Sequence, residues 1–461
     1  AAEKRRRRKR GTFPDPDKRV VINDLVCEGC GDCGVKSNCV SVQPLETEGG
    51  RKRTIDQSSC NKDYSCLKGF CPSFVTVSGA RPRKRAATLD PTTRPLPVPP
   101  LPVLGAEPHN ILIAGIGGTG VTSVAAILGM AAHLDGNGFA ALDMTGMAQK
   151  GGAVLSHLRI NDASEPVNGA RVGTAKADLV LAADPIVAAT PEALRAAGRD
   201  RSLTVMNAYV SPTSEFIHDR DTVFDLDALA RLLRQAAREV VSFDAHDAAT
   251  RLLGDAIYAN MMLLGYAWQK GAVPVSADAI VKAIALNGAS VKANTLAFAW
   301  GRLAAEEPEL VASEAKIATR KPKAETLDEI VARRVAFLTG YQDAAYAERY
   351  WALVERVRGV EAARTAGFTN LATAVARNYF KLLAYKDEYE VARLYADGSF
   401  KRALDEEFEG DLALEFNLAP PFMSRPDPVT GRPRKRRFGG WMMGVFRLLA
   451  RMKGLRGTAF D

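Results

Sequence analysis

Short apolar runs alternate with helical stretches through the middle of the chain. Apolar runs that end at polar or glycine-containing turns are typical of buried strands. The predicted strands are 110–114, 140–143, 153–160, 179–183, 203–209 and 240–243. A helix is predicted at 119–133, directly after the first of them. Because strands alternate with helices, residues 109–305 are predicted to form one α/β domain around a doubly wound, mainly parallel sheet.

The segments on either side of this domain have different patterns. Prolines are frequent between residues 79 and 108, which favours an extended, semi-rigid spacer at a domain boundary. A charged connector at 306–323 is followed by apolar residues at three-to-four spacing, namely Val331, Val335, Leu338, Tyr341 and Ala345. Residues 306–461 are therefore predicted to form a mostly helical C-terminal domain, with one helix near 442–452.

The composition is that of a globular protein with several domains. The chain has 461 residues, 47% of them hydrophobic, which suggests about three domains. No apolar run is long enough to span a bilayer, so we expect a cytoplasmic protein without a membrane segment. Residues 1–10 contain seven Lys or Arg and one Glu, and therefore most of the net charge of +9. Aromatic residues are not interleaved there, so residues 1–19 are interpreted as a basic linker and not as a nucleic-acid-binding arm.

All seven cysteines lie between residues 27 and 71. The first three form a C-x2-C-x2-C triad, at Cys27, Cys30 and Cys33. The last is followed by proline, as Cys71-Pro72. Both features are typical of two-cluster ferredoxins, in which the terminal cysteine ligates the other cluster. One complete 4Fe–4S site is therefore predicted on the triad together with Cys71.

The remaining cysteines are one ligand short of a second cluster. They are Cys39, Cys60 and Cys66. Asp63 stands three residues after Cys60 and three before Cys66, where the pattern requires a cysteine. Asp63 is therefore predicted to be the eighth ligand, in a second cluster that is either 4Fe–4S or 3Fe–4S. The alternative is that Asp63 only caps a turn.

Three other interpretations of the cysteines stay open but are weaker. Structural zinc usually joins two separated C-x2-C pairs. Disulfides need an oxidising compartment, and no secretory signal is recognisable. Buried thiols could also simply pack.

Four short strands are predicted around the cysteines, at 19–23, 40–42, 53–55 and 74–77. They favour a ferredoxin-like domain at 20–78, in which the second and third strands form an inserted hairpin.

Two glycine-rich loops follow predicted strands of the α/β domain. The first contains Gly115, Gly117, Gly118 and Gly120, in the strand–turn–helix order that lets a phosphate approach a helix N-terminus. The second contains Gln149, Lys150, Gly151 and Gly152. We expect the two loops to meet at the C-terminal edge of the sheet, where open α/β folds bind ligands, with Lys150 as a cation. The alternative is two packing turns without a ligand.

Asp143 supports a different use of the first loop. It lies 23 residues after Gly120, near the position where an acidic residue holds the ribose of NAD. Against this, a second glycine-rich loop follows where an NAD-binding fold usually continues into a helix. No catalytic residue is assigned, because the five histidines are scattered and no hydrolase motif is present.

Two segments together resemble a known family. Residues 27–33 and 59–72 resemble the ferredoxin domain of fused indolepyruvate ferredoxin oxidoreductases. Residues 115–120 and 146–152 are similar to the gamma-type domain of 2-oxoacid:ferredoxin oxidoreductases. The resemblance implies decarboxylation of a small-molecule 2-oxo acid on thiamine diphosphate with Mg²⁺, transfer of the acyl group to coenzyme A, and electron flow through 4Fe–4S clusters to ferredoxin.

The family's thiamine motif, G-D-G with a downstream Asn, is not found. Only Gly254-Asp255-Ala256 and Gly410-Asp411-Leu412 come near it. We therefore expect thiamine-binding domains on a missing N-terminal part or on another chain, and we expect a homo-oligomer. Two other classes stay open: an NAD-linked ferredoxin reductase and an RNA-binding metalloprotein. Nucleotide titration and salt-dependent RNA binding would distinguish them.

Overall fold

The computed structural model contains one large and one smaller sheet, each packed against helices. It describes residues 7–8, 11–83, 87–105, 107–146, 151–165, 167–212, 215–316, 325–365, 367–420, 424, 426, 428, 431 and 433–458. Strands within these ranges form a six-stranded sheet, a four-stranded sheet and two two-stranded ribbons. No helix in the described part of the chain is long and apolar enough to cross a membrane.

The elements are numbered in chain order. The strands are β1 (Lys18–Ile22), β2 (Val42–Thr47), β3 (Gly50–Ile55), β4 (Phe74–Ser78), β5 (Arg81–Pro82), β6 (His109–Ile116), β7 (Gly138–Thr145), β8 (Ala153–Asn161), β9 (Leu179–Ala182), β10 (Leu203–Asn207), β11 (Glu239–Phe243), β12 (Phe408–Glu409), β13 (Ala413–Leu418) and β14 (Arg436–Phe438). The helices are α1 (Asp32–Ser37), α2 (Val121–Leu134), α3 (Pro185–Ala188), α4 (Pro191–Ala196), α5 (Glu215–His218), α6 (Leu226–Ala236), α7 (Ala245–Leu253), α8 (Ala259–Gln269), α9 (Ala277–Asn287), α10 (Val291–Glu306), α11 (Pro308–Ala315), α12 (Leu327–Tyr341), α13 (Ala344–Arg364), α14 (Asn370–Leu383), α15 (Glu388–Ala396), α16 (Ser399–Glu407) and α17 (Met442–Arg451).

The large sheet has the strand order β11-β10-β9-β6-β8-β7. Strands β6, β9, β10 and β11 are parallel, as predicted. Strand β8 is antiparallel to both β6 and β7, so the sheet is mixed, with three of its five strand pairs parallel. The physical reason is the connection between β7 and β8, which is too short for the crossover that a parallel pair requires.

The central strand β6 is apolar on both faces because both faces are covered. Ile111 and Ile113 point into a core that includes Leu128 of α2. Leu112 and Ala114 point the opposite way, into a second core on the other face of the sheet. Side chains alternate along a strand, so a continuous apolar run is buried twice. Both faces of the sheet are therefore covered, as the doubly wound prediction requires.

Helices α8 and α10 cross very closely beside the large sheet. A Cβ placed on Gly265 of α8 would overlap the carbonyl oxygen of Phe298 in α10. A Cβ on Gly301 of α10 would overlap the carbonyl oxygen of Met262 in α8. Only glycine lets the two backbones approach to this distance.

The smaller sheet combines strands from distant parts of the chain, in the order β1-β4-β13-β14. Strands β13 and β14 are short and come from the C-terminal region, which is mostly helical as predicted. Val75 of β4 and Phe416 of β13 share one core with Tyr395 of α15 and Phe446 of α17. The apolar face of β4 would otherwise be exposed, and the C-terminal region covers it.

Three local predictions are corrected in the same part of the molecule. The hairpin of β2 and β3 is present, but its strands are longer than predicted, which leaves a turn at 48–49. The proline-rich segment is not a free spacer, because Leu96 and Leu101 pack against the core of the α/β domain and Arg94 pairs with Glu307 at 2.7 Å. The charged connector contains helix α11. The domain bounds themselves stay predictions.

Candidate metal centres and glycine loops

Six of the seven cysteines, all except Cys30, belong to or pack against one small apolar core. All seven are free of disulfides, with Cys27, Cys33 and Cys66 buried and Cys30 exposed. The apolar residues around them come from β1, β2, β3 and β4, and are Val20, Ile22, Val42, Ile55 and Phe74. This core keeps water away from the three buried thiols, Cys27, Cys33 and Cys66.

One glycine lets the two cysteine-containing segments meet. Gly69 follows the 3-10 helix Ser65–Lys68, which contains Cys66. A Cβ on Gly69 would lie 2.9 Å from both Cα and Cβ of Cys33 in α1. A side chain at this position would therefore push the late cysteines away from the early ones.

The first predicted set of thiols lies together. Burial raises the pKa of the Cys33 thiol to about 12, and its electrostatic neighbours that raise this pKa further are Cys71, Cys27 and Cys30. Burial likewise raises the pKa of Cys27, and Cys71 is again a neighbour that raises it. These four residues are the ones that the sequence spacing grouped.

The second predicted set also lies together. Burial raises the pKa of the Cys66 thiol to about 12, with further increases from Cys60, Cys39, Cys33 and Asp63. Asp63 caps a local turn, because its Oδ1 accepts hydrogen bonds from the backbone N of Ser65 at 3.1 Å and from its Oγ at 2.8 Å. The turn-capping alternative therefore describes what Asp63 does in this structure, and its role as a ligand stays a prediction.

The chemistry of these donors fits a cationic metal cluster. Crowded thiolates in apolar surroundings repel one another and are poorly solvated, and a metal removes both costs. Backbone N–H groups already point at sulfur, from Gly29 to Cys27 Sγ at 3.3 Å and from Lys62 to Cys60 Sγ at 3.4 Å. Across the described residues, no three His, Cys, Asp or Glu side chains are arranged to coordinate a single metal ion. The iron–sulfur assignment therefore stays a prediction that rests on the donor set.

The C-terminal helices hold the cysteine loops in place. Lys386 donates a hydrogen bond to the carbonyl oxygen of Cys27 at 3.2 Å and pairs with Glu28 at 2.7 Å. Tyr395 donates its hydroxyl to the carbonyl oxygen of Pro72 at 2.8 Å. Both ends of the cysteine segment are thus fixed by residues more than three hundred positions away in sequence.

The two glycine-rich loops meet, as the sequence predicted. Gly117 donates its N–H to the carbonyl oxygen of Gly152 at 2.7 Å. The loops lie at the C-terminal ends of β6 and β7, on one edge of the sheet. A Cβ on Gly151 would lie 3.8 Å from Val40 Cγ1, so this edge is next to the segment that contains Cys39. Gln149 and Lys150 lie outside the described residues.

The first loop leaves a helix end without a side-chain cap. Gly118 and Gly120 have φ of +88° and +93°, which favours glycine at both positions. Gly120 is the N-cap residue of α2, and no side chain there bonds to the first turn. Asn260 holds the loop from α8, donating to the carbonyl oxygen of Thr119 at 2.9 Å. This geometry can accept an anion at the start of α2.

Asp184 is a candidate residue that the sequence analysis missed. It follows β9, and its backbone N lies 3.9 Å from the position of a Cβ on Gly115. Its Oδ1 caps α3, but its Oδ2 is buried without a hydrogen-bond partner. Burial raises the pKa of the Asp184 carboxyl to about 6. The signal in the sequence is an acidic residue directly after a predicted strand.

The NAD alternative does not fit this sheet. Asp143 lies on β7, and β8 separates β7 from β6. Strands are about 4.8 Å apart, so Asp143 is about 10 Å from the strand that precedes the glycine loop. Its Oδ1 accepts a hydrogen bond from Ser156 Oγ at 2.5 Å. A ribose-binding carboxylate would stand on the strand next to β6.

A cleft of about 780 Å³ lies between the three parts of the chain. It is lined by Cys60 of the second thiol set, by Tyr209 and His246 of the α/β domain, and by Glu407 of α16. The rings of Tyr209 and His246 stack with centroids 3.6 Å apart. Tyr209 also donates its hydroxyl to Gln43 Oε1 at 2.6 Å, joining the α/β domain to the cysteine-containing part. No sequence signal groups these residues, because each belongs to a different segment.

Comparisons with known proteins identify the family. Residues 110–304 match the family model "Pyruvate ferredoxin/flavodoxin oxidoreductase", and residues 327–461 match a family of unknown function (DUF6537). The chain is 30% identical over 203 residues to indolepyruvate oxidoreductase subunit IorB of Methanothermobacter thermautotrophicus, covering 43% of this chain and 98% of that protein. It is 31% identical over 204 residues to IorB of Pyrococcus horikoshii, covering 43% of this chain and 96% of that protein.

Two solved structures are also similar over the same share of the chain. Pyruvate oxidoreductase subunit PORC from Thermotoga maritima is 21% identical, with a TM-score of 0.33, and the match covers 42% of this chain and 96% of that one. The gamma subunit of a keto/oxoacid ferredoxin oxidoreductase from Geobacter sulfurreducens is 21% identical, with a TM-score of 0.31, and the match covers 43% of this chain and 98% of that one.

The family model and the two IorB relatives identify the chain as an oxidoreductase. It belongs to the 2-oxoacid:ferredoxin oxidoreductase family. Within that family it is similar to the IorB subunits. The family predicted from the cysteine and glycine motifs is thereby confirmed.

Proposed function

We propose that the chain is the gamma-type and electron-transfer portion of a thiamine-dependent indolepyruvate:ferredoxin oxidoreductase. The enzyme would decarboxylate the 2-oxo acid oxidatively, form an acyl-CoA and pass electrons to ferredoxin. One observation carries the proposal: two sets of thiols lie beside the α/β domain that matches the family. The contact of Gly151 with Val40 and the position of Cys60 at the cleft both support this arrangement.

Two iron–sulfur clusters are assigned to this chain. Cys27, Cys30, Cys33 and Cys71 would hold one; Cys39, Cys60, Cys66 and Asp63 would hold the other. Such clusters accept and give up single electrons when bound. The chain's own residues exclude water through the apolar core and donate backbone N–H groups to sulfur. The exposed Cys30 brings the first set to the surface, where a carrier protein such as ferredoxin can dock.

The glycine loops are assigned to a phosphate-bearing ligand of the complex. The residues are Gly115, Gly117, Gly118, Gly120, Gln149, Lys150, Gly151 and Gly152. The uncapped start of α2 and the two loops on one sheet edge support an anion there. Coenzyme A is the co-substrate with such groups. Thiamine diphosphate and Mg²⁺ are assigned to thiamine-binding domains outside this chain, and the assembly is a homo-oligomer of the combined parts.

We expect that the purified chain alone does not oxidise indolepyruvate. It contains no G-D-G motif for thiamine diphosphate, so the decarboxylation step has no site. The assay supplies thiamine diphosphate, Mg²⁺, coenzyme A, indolepyruvate and ferredoxin, and measures ferredoxin reduction. Reduction of ferredoxin by the chain, first reduced with dithionite and then freed of excess dithionite, is the positive control, because it needs only the clusters. Turnover without an added thiamine-binding partner would contradict the expectation, and a chain that binds no iron after anaerobic reconstitution would contradict the proposed function.

We also expect the second cluster to lose iron first on oxidation. A carboxylate oxygen is a harder ligand than a thiolate and should hold one iron less firmly. Asp63→Cys should make this cluster a stable four-iron one. Asp63→Asn is the matched control, since an amide oxygen can still cap Ser65 but is a poor ligand; it should leave three irons from the start. EPR with iron and sulfide analysis measures this, and about four irons in both the wild type and Asp63→Cys would rule out the second cluster.

A further inference from the structure

Lys435 places an unpaired ammonium group beside the cysteines. Its Nζ is buried and has no hydrogen-bond partner. Its electrostatic neighbours are Cys71, Cys33, Asp32 and Cys66, in decreasing order of effect. Cys71 and Cys33 belong to the first thiol set and Cys66 to the second. The Asp32 carboxylate already accepts a hydrogen bond from the backbone N of Phe70 at 2.8 Å.

The fold fixes this position through the smaller sheet. Lys435 directly precedes β14, which pairs with β13, and β13 pairs with β4. Strand β4 begins just after Cys71, so Lys435 is held near the end of the cysteine segment. The Nζ also lies 5.2 Å from the ring centroid of Phe74, which is fully buried. The ammonium therefore lies over the face of the Phe74 ring.

A buried ammonium without an acceptor is unfavourable, so its neighbours should include an anion in the working protein. In the proposed function, on which this inference rests, the two thiol sets carry that negative charge. Four thiolate ligands outweigh the positive charge of an iron–sulfide core, so a bound cluster is negative overall, and one-electron reduction makes it more so. A nearby cation stabilises the more negative state more strongly.

We propose that Lys435 tunes the reduction potentials of both clusters. Its ammonium would place a positive charge beside both clusters when they are bound and so raise both reduction potentials. The effect is larger on the cluster of Cys27, Cys30, Cys33 and Cys71, because Cys71 and Cys33 are the stronger neighbours. This gives the C-terminal family of unknown function a role in electron transfer: it covers the cysteine-containing part and supplies the charge between its two centres.

The test is a potentiometric titration followed by EPR on the reconstituted full chain. Lys435→Met removes the charge and keeps the length of the side chain; both midpoint potentials should become more negative, with the larger shift in the first cluster. Lys435→Arg keeps the charge and should stay near the wild type. Lys401→Met is the matched control, since Lys401 is exposed and pairs with Asp405 on the surface. It removes the same charge and should shift neither potential.

The outcomes separate this inference from the proposed function. Unchanged potentials in Lys435→Met with full iron content would overturn the inference and leave the clusters intact. Loss of iron in Lys435→Met alone would support a need for the charge. Loss of iron in both Lys435→Met and Lys435→Arg would assign Lys435 to packing and overturn the inference. Absence of iron from the reconstituted wild type would overturn the proposed function itself.

Discussion

Replacing Cys71 with serine is expected to remove one cluster and about half of the iron and sulfide that the reconstituted chain binds. Cys71 is an electrostatic neighbour of both Cys27 and Cys33, so it is the thiol that completes the first set. A serine oxygen is a harder and weaker ligand for iron than a thiolate. Cys60→Ser in the second set should cause a similar loss but leave a different EPR signal.

The double variant Cys71→Ser, Cys60→Ser is the control for this pair. If the two sets are separate, it should bind almost no iron, and the two single losses should add. Iron and sulfide analysis gives the stoichiometry, and EPR of the reduced proteins shows which centre is left. A single variant that loses all its iron while keeping its circular dichroism spectrum would contradict two separate sets. A single variant that loses none would contradict the assignment of its cysteine.

Replacing Gly301 with alanine is expected to lower the free energy of unfolding of the α/β domain by about 3 kcal/mol. The new Cβ would overlap the carbonyl oxygen of Met262 and lie 2.7 Å from its carbonyl carbon. Both atoms belong to a helix backbone and cannot move aside alone. Helices α8 and α10 must therefore separate, which opens gaps around Leu263 and Phe298 in the main core.

Gly359→Ala is the matched control, because a Cβ there would meet nothing within 4 Å in the middle of α13. This substitution should raise stability by roughly 0.5–1 kcal/mol. Urea unfolding followed by tryptophan emission measures both, since Trp268 and Trp300 are buried in α8 and α10 and Trp351 lies in α13 with Gly359. Equal free energies of unfolding in the Gly301→Ala and Gly359→Ala variants would contradict the close crossing of α8 and α10.

The candidate metal centres were predicted from local spacing. The triad at Cys27, Cys30 and Cys33 spans only a few residues, so a single loop and the short helix α1 bring its thiols together. The remote Cys71 was grouped with the triad from the ferredoxin pattern, and it is a neighbour of Cys27 and Cys33 in the structure. Asp63 shows the limit of such spacing, because the same carboxylate caps a turn at Ser65.

Hydrophobic pattern was likewise sufficient for the strands of the α/β domain, but not for their direction. Every strand predicted between residues 109 and 243 is present, with bounds that differ by a few residues. The antiparallel placement of β8 was missed, because the apolar pattern of a strand does not indicate its direction within the sheet. That placement separates Asp143 from the glycine loop and so decides against the NAD alternative.

The sequence by itself thus determined the family, the strand–glycine–helix unit and the meeting of the two glycine loops, and it predicted the two groups of thiols. Only the tertiary structure decided that β13 and β14 complete the sheet beside the cysteines, that Lys435 has cysteines of both thiol sets as electrostatic neighbours, and that Tyr209 and His246 line a cleft together with Cys60. The physical reason is the range of the interactions. Spacing within one or two turns fixes which side chains can meet locally, whereas pairing across hundreds of residues depends on which apolar faces are left to be covered.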